Sequence, residues 1–445
     1  MRRPEVIGER DVVKTLHGER PYIFFDNAAS TPALKSVFDR VSAFMPYYSN
    51  VERGIGYKSF VSTELFERAR EVIHEFMEAP EDEYAVIFVK NTTEAINKLA
   101  RKLRPIIGDG KVLTTEMEHH SNFLPWKKHY ETEVVEVDKN GRIDVNLIED
   151  KLKKAKGKIK LVAITGASNV TGYVNPIYEI ADIAHRYGAL ISIDGAQYIP
   201  HKHISMKNGI DFLSFSAHKF YAPFGSGALI GKKELLDKGD PESVGGGTVK
   251  FVALDEVIWA DLPEKEEAGT PVIIGAIALM AALEEFKKWG MEALEKIEEH
   301  LHEKLYKALG DLDGIKILGG ERNNDDLPVI SFVSEKVSPY VLSSVLSFEY
   351  GIGVRTGCFC AQPYVKKLLS VTERESESIK QDLLHGLLPE KGAIRASLSF
   401  YNTEEEINVL KEAIQDALSR DKIDYEYDPH FKAFVPRGFK FTLPF

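Results

Sequence analysis

Short apolar segments with the character of β-strands alternate with amphipathic helices over most of this 445-residue sequence. Residues 84–89 form one strand candidate, and Asn91-Thr-Thr-Glu94 then has the pattern of a helix N-cap with a glutamate three residues later. The same order returns at 158–165, 177–187 and 189–193. Strands connected through helices pair in parallel, and the helices cover both faces of the sheet. The pattern therefore predicts an α/β protein with a mostly parallel sheet.

The pattern changes near residue 284. One long, charge-rich helix is predicted over 284–309, and short strand candidates follow at 329–333 and 394–398. Helices and strands that no longer alternate regularly are typical of an α+β unit. We therefore expect a second, smaller α+β domain in the C-terminal part of the chain.

These patterns divide the chain into two predicted domains. The large domain is assigned to residues 20–284, and the small domain to residues 1–19 together with 285–445. The small domain ends in a tail rich in aromatic residues, which predicts packing on the protein surface rather than disorder. The phenylalanines of this tail are Phe431, Phe434, Phe439, Phe441 and Phe445.

Composition excludes several classes of protein. Lysine and arginine total 57 against 68 aspartate and glutamate, a net charge of −11, which argues against a nucleic-acid or anionic-membrane partner. The longest apolar run, 271–283, is too short to span a bilayer and is predicted as a buried helix, and residues 4–10 lack a signal-peptide core. Cys358 and Cys360 are poorly spaced for a disulfide and too few for a metal site. We expect a cytoplasmic protein without a metal.

Two of the strand candidates end in residues of complementary chemistry. The segment 189–194 ends in Asp194, with Gln197 three residues later, and the segment 211–216 leads directly to Lys219. Open parallel sheets bind ligands beyond the carboxyl ends of their strands. Pyridoxal phosphate needs a lysine for its Schiff base, a carboxylate for its ring nitrogen and donors for its phosphate. The sequence therefore predicts a pyridoxal 5′-phosphate site.

Each requirement of this cofactor has a candidate. Asp194 would pair with the ring nitrogen, Gln197 would donate to the ring oxygen, and Lys219 would form the Schiff base. The phosphate would lie at the N-terminus of the helix that follows Asn91, where free N–H groups favour an anion. Alone, each residue has an ordinary structural interpretation, and only their combination favours the cofactor. The predicted phosphate ligands are Thr92, Thr93, Ser216 and His218.

Ten motifs of this chain occur in the order seen in cysteine desulfurases, and the chain resembles that family from about Tyr22 to Leu418. The resemblance implies the fold type I architecture of pyridoxal-phosphate-dependent class V aminotransferases. This is a large domain with a mostly parallel seven-stranded sheet, followed by a smaller α+β domain. It also implies a homodimer in which Thr270 reaches the phosphate in the partner's site. The motifs are Asn91-Thr-Thr-Glu94, Glu116-Met-Glu-His-His120, Ser168-Asn169, Asp194-Gly-Ala-Gln197, Ser216-Ala-His-Lys219, Gly245-Gly-Gly247, Glu267-Ala-Gly-Thr270, Arg355-Thr-Gly357, Cys360-Ala-Gln362 and Arg395-Ala-Ser-Leu-Ser-Phe-Tyr-Asn402.

The resemblance also implies a role for several residues. L-cysteine would displace Lys219 from the cofactor, and the freed lysine would remove the Cα proton. Arg395 would hold the substrate carboxylate, with Asn169 and Arg355 beside it. His119 would stack on the cofactor ring and handle protons on the substrate thiol.

The resemblance further implies that Cys360 attacks the substrate sulfur, which leaves an enzyme persulfide and L-alanine. This attack needs a thiolate, and Arg355 is a candidate source of positive charge. The glycines at 351, 353 and 357 predict a mobile loop around the cysteine.

The chain departs from the family pattern at three places. Cys358 and Phe359 replace two histidines, so Cys358 is a candidate nucleophile, relay or spectator. An insertion at 366–388, predicted as mostly helical, could line the mouth of the site and select the sulfur acceptor. Glu52-Arg53-Gly54 stands where the family has a histidine, so no role for that histidine is carried over.

The sequence thus predicts a cysteine desulfurase that converts L-cysteine to L-alanine and passes persulfide sulfur to an acceptor or scaffold protein. Iron–sulfur cluster assembly is the expected use of that sulfur. Two enzyme alternatives are a selenocysteine lyase and a class V aminotransferase or epimerase without persulfide chemistry. A third alternative is a scaffold that has lost catalysis.

Overall fold

The computed structural model describes residues 3–51 and 54–443 and contains two main β-sheets. The strands are β1 (Val12–Thr15), β2 (Gly18–Pro21), β3 (Ile23–Phe24), β4 (Tyr84–Val89), β5 (Lys111–Thr115), β6 (Glu131–Val135), β7 (Ile159–Thr165), β8 (Leu190–Asp194), β9 (Phe212–Ser216), β10 (Gly227–Lys232), β11 (Val249–Val252), β12 (Val257–Trp259), β13 (Ile315–Ile317), β14 (Val329–Ser334), β15 (Ile352–Gly353), β16 (Arg355–Gly357), β17 (Ala393–Ser397), β18 (Tyr425–Asp428) and β19 (Ala433–Pro436). The helices are α1 (Lys35–Phe44), α2 (Tyr57–Phe76), α3 (Thr92–Lys102), α4 (Arg104–Ile107), α5 (His120–His129), α6 (Val145–Ala155), α7 (Ile177–Arg186), α8 (Lys233–Leu236), α9 (Ile273–Trp289), α10 (Met291–Gly310), α11 (Pro339–Tyr350), α12 (Gln362–Leu368), α13 (Glu373–Leu384) and α14 (Glu404–Ser419).

The first sheet has seven strands in the order β4-β10-β9-β8-β7-β5-β6. Only β10 runs in the direction opposite to the other six strands, so the mostly parallel α/β architecture is confirmed. Alternate side chains of β7 enter different cores, with Leu161 and Ala163 on one face and Val162 and Ile164 on the other. Because both faces are buried, the polar residues of these strands collect at the strand ends.

The second sheet is antiparallel, with the order β13-β14-β17-β16, and has its own core with residues from α10, α11 and α14. The assignment of residues 20–284 and of 1–19 with 285–445 to separate domains stays a prediction. The single helix predicted over 284–309 is wrong, because Gly290 adopts φ 85° and separates α9 from α10. The core helix predicted at 271–283 is confirmed by the buried helix α9.

The aromatic tail packs against α11, in agreement with its predicted docking. Phe439 contacts Phe348 with a ring-centroid distance of 4.8 Å, and the Tyr425 hydroxyl donates to Glu349 Oε1 over 3.1 Å. Phe431 and Phe441 contact each other but remain exposed, and Phe445 lies outside the described residues. In the described parts of the chain, no helix has the length and apolar character needed to cross a membrane.

Glu298 of α10 connects the elements that carry the two sheets. Its Oε2 is 2.7 Å from Nδ1 of His201, which follows β8. Its Oε1 accepts from the Ser399 hydroxyl at 2.7 Å and from the Phe400 N–H at 3.2 Å, just beyond β17. All four residues are buried. This carboxylate therefore ties the end of β17 to the large sheet, and β17 carries a residue of the candidate site.

We expect Glu298→Ala to lower the free energy of unfolding by about 3 kcal/mol, because the change leaves several buried donors without their acceptor. Urea denaturation measures this loss. Glu299→Ala is the matched control, since Glu299 is exposed on the same helix and should cost less than about 0.5 kcal/mol. Equal stabilities of the two variants would contradict the proposed role of Glu298 in connecting the end of β17 to the large sheet.

Candidate active site at the carboxyl ends of the strands

A cavity of about 400 Å³ opens where the carboxyl ends of the parallel strands meet the second sheet. Side chains that lie far apart in the sequence meet here because they follow neighbouring strand ends. Thr270 and Cys358 are not among its lining residues. Twelve of the residues predicted from the sequence line this cavity: Thr92, Thr93, His119, Asn169, Asp194, Gln197, Ser216, His218, Lys219, Arg355, Cys360 and Arg395.

Asp194 and Lys219 form the charged centre of the cavity. Asp194 ends β8 and is 3% exposed, and its Oδ1 accepts a hydrogen bond from the Ala196 N–H at 3.0 Å. Burial raises the pKa of Asp194, and within residues 3–51 and 54–443 no cation forms an ion pair with it. Burial lowers the pKa of Lys219 to about 8, against the attraction of Asp194. The uncharged amine of Lys219 is therefore more populated near neutral pH than that of an ordinary lysine.

The N-terminus of α3 forms the opposite wall. Asn91 caps the helix, because its side chain accepts from the Glu94 N–H at 3.0 Å, which confirms the predicted N-cap. The Thr92 N–H donates to Ser216 Oγ at 2.8 Å, and the Thr93 hydroxyl is 2.7 Å from Ser121 Oγ. Hydroxyl groups thus gather at a helix end whose dipole favours an anion.

His119 is the N-cap of α5. Its Nδ1 accepts from the Ser121 N–H at 3.1 Å, so the neutral ring carries its hydrogen on Nε2. Burial, with the positive charges of Lys219 and Arg395 as further causes, lowers the pKa of His119 to about 3. His119 is therefore an uncharged ring at neutral pH. His218 is likewise uncharged, because burial and Lys219 lower its pKa to about 4.

Arg395 lies in the middle of β17 and is fixed by two protein acceptors. Its Nη1 donates to the Asn169 carbonyl at 2.9 Å, and its Nη2 donates to Asp26 Oδ1 at 2.9 Å. Its Nε is buried and has no partner among the described residues. The sequence analysis missed Asp26. It directly follows the apolar run 22–25, but β3 pairs with β15 outside the large sheet, so the rule of converging strand ends did not find it.

Cys360 lies in a four-residue turn, 358–361, between β16 and α12. Phe359 and Cys360 both adopt left-handed backbone conformations, with φ 52° and 55°. The turn is held on both sides: Asn169 Nδ2 donates to the Phe359 carbonyl at 2.7 Å, and the His120 N–H donates to the Cys360 carbonyl at 2.7 Å. Strained conformations of this kind persist only where surrounding contacts impose them. Phe359 is buried, whereas Cys360 is exposed.

The loop predicted around this cysteine is therefore wrong in its extent, and its mobility stays a prediction. Gly351 caps the end of α11, Gly353 is part of β15, and Gly357 ends β16, so none of these glycines belongs to the turn itself. Cys358 is half-buried against the main core, and burial raises the pKa of its thiol. The two cysteines thus differ in environment, although one residue separates them.

Comparisons with known proteins identify the family of this chain. The model of the family described as Aminotransferase class-V matches residues 23–410. The chain belongs to this family. Among its relatives are a probable cysteine desulfurase of Halalkalibacterium halodurans, 37% identical over 89% of this chain and 93% of that protein, and a cysteine desulfurase of Haloferax volcanii, 35% identical over 89% of each.

Solved structures give the same result. The apo cysteine desulfurase of Thermococcus onnurineus aligns with a TM-score of 0.80 and 32% identity, over 89% of this chain and 94% of that one. The cysteine desulfurase CsdA of Escherichia coli aligns with a TM-score of 0.77 and 28% identity over the same shares. The predicted family and fold type I architecture are confirmed.

Class V aminotransferases depend on pyridoxal 5′-phosphate, and the cavity fits this cofactor. Asp194 is a buried carboxylate that forms no ion pair within residues 3–51 and 54–443, which suits a protonated ring nitrogen. The hydroxyls at the N-terminus of α3 suit a phosphate, and Lys219 has the lowered pKa that an amine nucleophile needs. The donors and charges of this chain therefore match those that the cofactor requires.

Glu118 is a second buried acid beside this site. It is 1% exposed and accepts from the Thr115 hydroxyl at 2.7 Å and from Asn122 Nδ2 at 2.6 Å. Burial raises its pKa to about 8, and the negative charge of Asp194 adds to this effect. Glu118 therefore stays protonated at neutral pH.

This raised pKa predicts a pH-dependent stability. An unfolded glutamate titrates near ~4.3, so between there and about 8 the folded state holds a proton that the unfolded state has lost. The contribution of Glu118 to stability therefore falls as the pH rises through this window. Glu118→Gln, which cannot ionise, should gain at least ~1 kcal/mol over the wild type between pH 5 and pH 8.

Urea denaturation at the two pH values measures the gain. Glu303→Gln, on the exposed face of α10, is the matched control and should show the same stability difference at both. A Glu118→Gln difference that does not change with pH would show that Glu118 is ionised in the folded protein.

Proposed function

We propose that this chain is a cysteine desulfurase that converts L-cysteine to L-alanine and retains the sulfur as a persulfide on Cys360. The observation that carries the proposal is the presence of an exposed thiol, Cys360, in the same cavity as Lys219, Asp194 and Arg395. A class V aminotransferase or epimerase needs no thiol at this position. A selenocysteine lyase shares the other residues and is distinguished by the test below.

The proposed reaction balances without another oxidant or reductant. The Cys360 thiol and L-cysteine give the Cys360 persulfide and L-alanine, and the hydrogen that the Cys360 thiol loses is matched by the hydrogen that completes the alanine methyl group. Pyridoxal 5′-phosphate supplies the electron sink for this reaction when it is bound. Asp194 would hold the ring nitrogen, Gln197 the ring oxygen, and Thr92, Thr93, Ser216 and His218 the phosphate.

The chain's own residues would bind the substrate and move its protons. Arg395 lines the cavity beside Asn169, and its guanidinium would bind the substrate carboxylate. Lys219, whose pKa lies at about 8, would take up the Cα proton. His119 would stack on the ring with its Nε2–H available to the substrate sulfur. Arg355 lines the same cavity as Cys360 and adds positive charge there.

Cys360 rather than Cys358 is the proposed nucleophile. Cys360 lines the cavity and is exposed, so its sulfur can meet both a bound substrate and an external acceptor. The raised pKa of Cys358 disfavours a thiolate there. Cys358 is accordingly proposed to be a spectator. The persulfide would pass to an acceptor or scaffold protein in the cytoplasm, where it serves iron–sulfur cluster assembly.

Wild-type protein with bound cofactor should release alanine from L-cysteine. In Cys360→Ser the rate of alanine release should fall by about 100-fold or more, because no thiol can accept the sulfur. Cys358→Ser is the matched control and should stay within about threefold of the wild type. Alanine release and persulfide labelling measure both. Absence of alanine from the wild type would refute a desulfurase, and turnover of L-selenocysteine that survives in Cys360→Ser would favour a lyase.

We also propose that the chain forms a homodimer. Apolar side chains on the hairpin of β11 and β12 are unusually exposed, with Phe251 at 49%, Val252 at 57% and Ile258 at 46%. Thr270 lies near this region in a separate pocket beside Gly246 and Gly247. In the proposed dimer, Thr270 of each subunit reaches the phosphate site of the other.

The segment before Thr270 is held firmly. Glu267 Oε1 accepts from Arg70 Nη1 at 2.9 Å and from the Phe88 N–H at 2.6 Å. All three residues are buried or nearly so, which favours a preorganised position for Thr270.

The double variant Phe251→Glu with Ile258→Glu should be monomeric, since two buried charges oppose an apolar interface. This variant should also bind the cofactor about tenfold more weakly, because it loses Thr270 from the second subunit. Light scattering after size-exclusion chromatography and cofactor titration measure the two effects. Phe441→Glu is the control, since Phe441 is an exposed apolar residue of the tail, away from the hairpin. A monomeric wild type would refute the dimer.

A further inference from the structure

Two arginines of the candidate site stand directly opposite each other on adjacent strands. Arg355 of β16 is the register partner of Arg395 of β17. Like charges at opposed positions of a sheet repel each other. Both side chains line the cavity, and Arg395 is almost completely buried, whereas Arg355 is 56% exposed. An arrangement of this kind needs a compensating negative charge.

Asp26 provides this charge. Its Oδ1 is 2.9 Å from Arg395 Nη2, and its Oδ2 is 3.4 Å from Arg355 Nη1, so one carboxylate bridges the two guanidinium groups. The backbone of Asp26 is fixed by an isolated bridge to Ser397, two residues beyond Arg395 on the same strand. The carboxylate therefore stands on a rigid support beside the strand that carries Arg395.

The orientation of Arg395 follows from these contacts. Asp26 holds Nη2, the Asn169 carbonyl holds Nη1, and Phe359 lies with its ring centroid 5.0 Å from the guanidinium carbon. Nε is left buried and without a partner among the described residues. A planar fork fixed along one edge presents its remaining N–H groups in a single direction.

We infer that Asp26 is a positioning residue for substrate binding, which holds the Arg395 guanidinium in the cavity wall so that it can meet the α-carboxylate of an amino acid substrate. The inference rests on the proposed desulfurase function. With Asp26 in place, the group of three carries one net positive charge, which matches one carboxylate. Without it, Arg395 loses its anchor and faces Arg355 directly.

Removal of Asp26 has two opposed effects on substrate binding. The site gains positive charge, which attracts a carboxylate, but the half-exposed Arg355 is screened by solvent and contributes little. The buried Arg395 loses its fixed direction, and misplacement of a binding group by about 1 Å can cost about 100-fold. The loss of orientation is the larger effect, so weaker binding is expected.

The test compares wild type, Asp26→Asn and Asp26→Glu with bound cofactor. Asp26→Asn should raise KM for L-cysteine by about tenfold or more, with kcat within about threefold, because binding rather than chemistry is affected. Calorimetric titration with L-alanine, which needs no turnover, should show a matching rise in Kd. Asp26→Glu keeps the charge but moves it, so its KM should be intermediate.

Glu349→Gln is the matched control. Glu349 is a buried carboxylate that accepts from Arg420 at 3.0 and 2.7 Å, away from the cavity, so its loss should change stability but neither KM nor the L-alanine Kd. Thermal unfolding and cofactor absorbance verify that each variant is folded and loaded. If Asp26→Asn does not fold, KM for L-cysteine and Kd for L-alanine of Asp26→Glu test the inference.

The inference is overturned if KM and the L-alanine Kd of folded Asp26 variants stay within twofold of the wild type, or if kcat falls while KM does not change. A failure of the proposed function is distinct from either result, because the wild type itself would then release no alanine from L-cysteine.

Discussion

The burial of one carboxylate that forms no ion pair among the described residues is the constraint around which this molecule is organised. Asp194 ends a central strand of the large sheet and faces a cavity, and Lys219 follows the next strand. A buried negative charge is costly unless a partner compensates it. The parallel sheet fixes both side chains at adjacent strand ends, so a ligand with a positive ring nitrogen and an electrophilic carbon fits the gap between them.

The second sheet completes the site by bringing an arginine and a cysteine to the same cavity. Arg395 lies on β17 and Cys360 follows β16, the adjacent strand. Asn169, in the loop that follows β7 of the large sheet, accepts from Arg395 through its carbonyl and donates through its side chain to the turn that carries the cysteine. Glu298 joins the segment after β17 to α10 and His201. In the proposed reaction, substrate binding and sulfur transfer would therefore depend on how the two sheets are fixed against each other.

Much of this arrangement was predictable from local patterns. Alternating strands and helices identified the parallel sheet, and the polar residues at its strand ends identified Asp194, Gln197 and Lys219. The ordered motifs then indicated the family and added His119, Arg395 and Cys360. Two local predictions were wrong, and both misjudged the effect of glycines. Gly290 breaks a helix that the charge pattern continued, and the glycines near Cys360 belong to the flanking elements.

The sequence by itself determined the fold class and the types of chemical group in the site, because periodicity and strand-end residues are local properties of the chain. Only the tertiary structure decided which groups share a cavity and how they are oriented. It separated Cys360 from Cys358 by burial, and it brought Asp26 between Arg355 and Arg395, more than 300 residues away in the chain. Such contacts depend on the packing of distant segments, and no local pattern of the sequence encodes them.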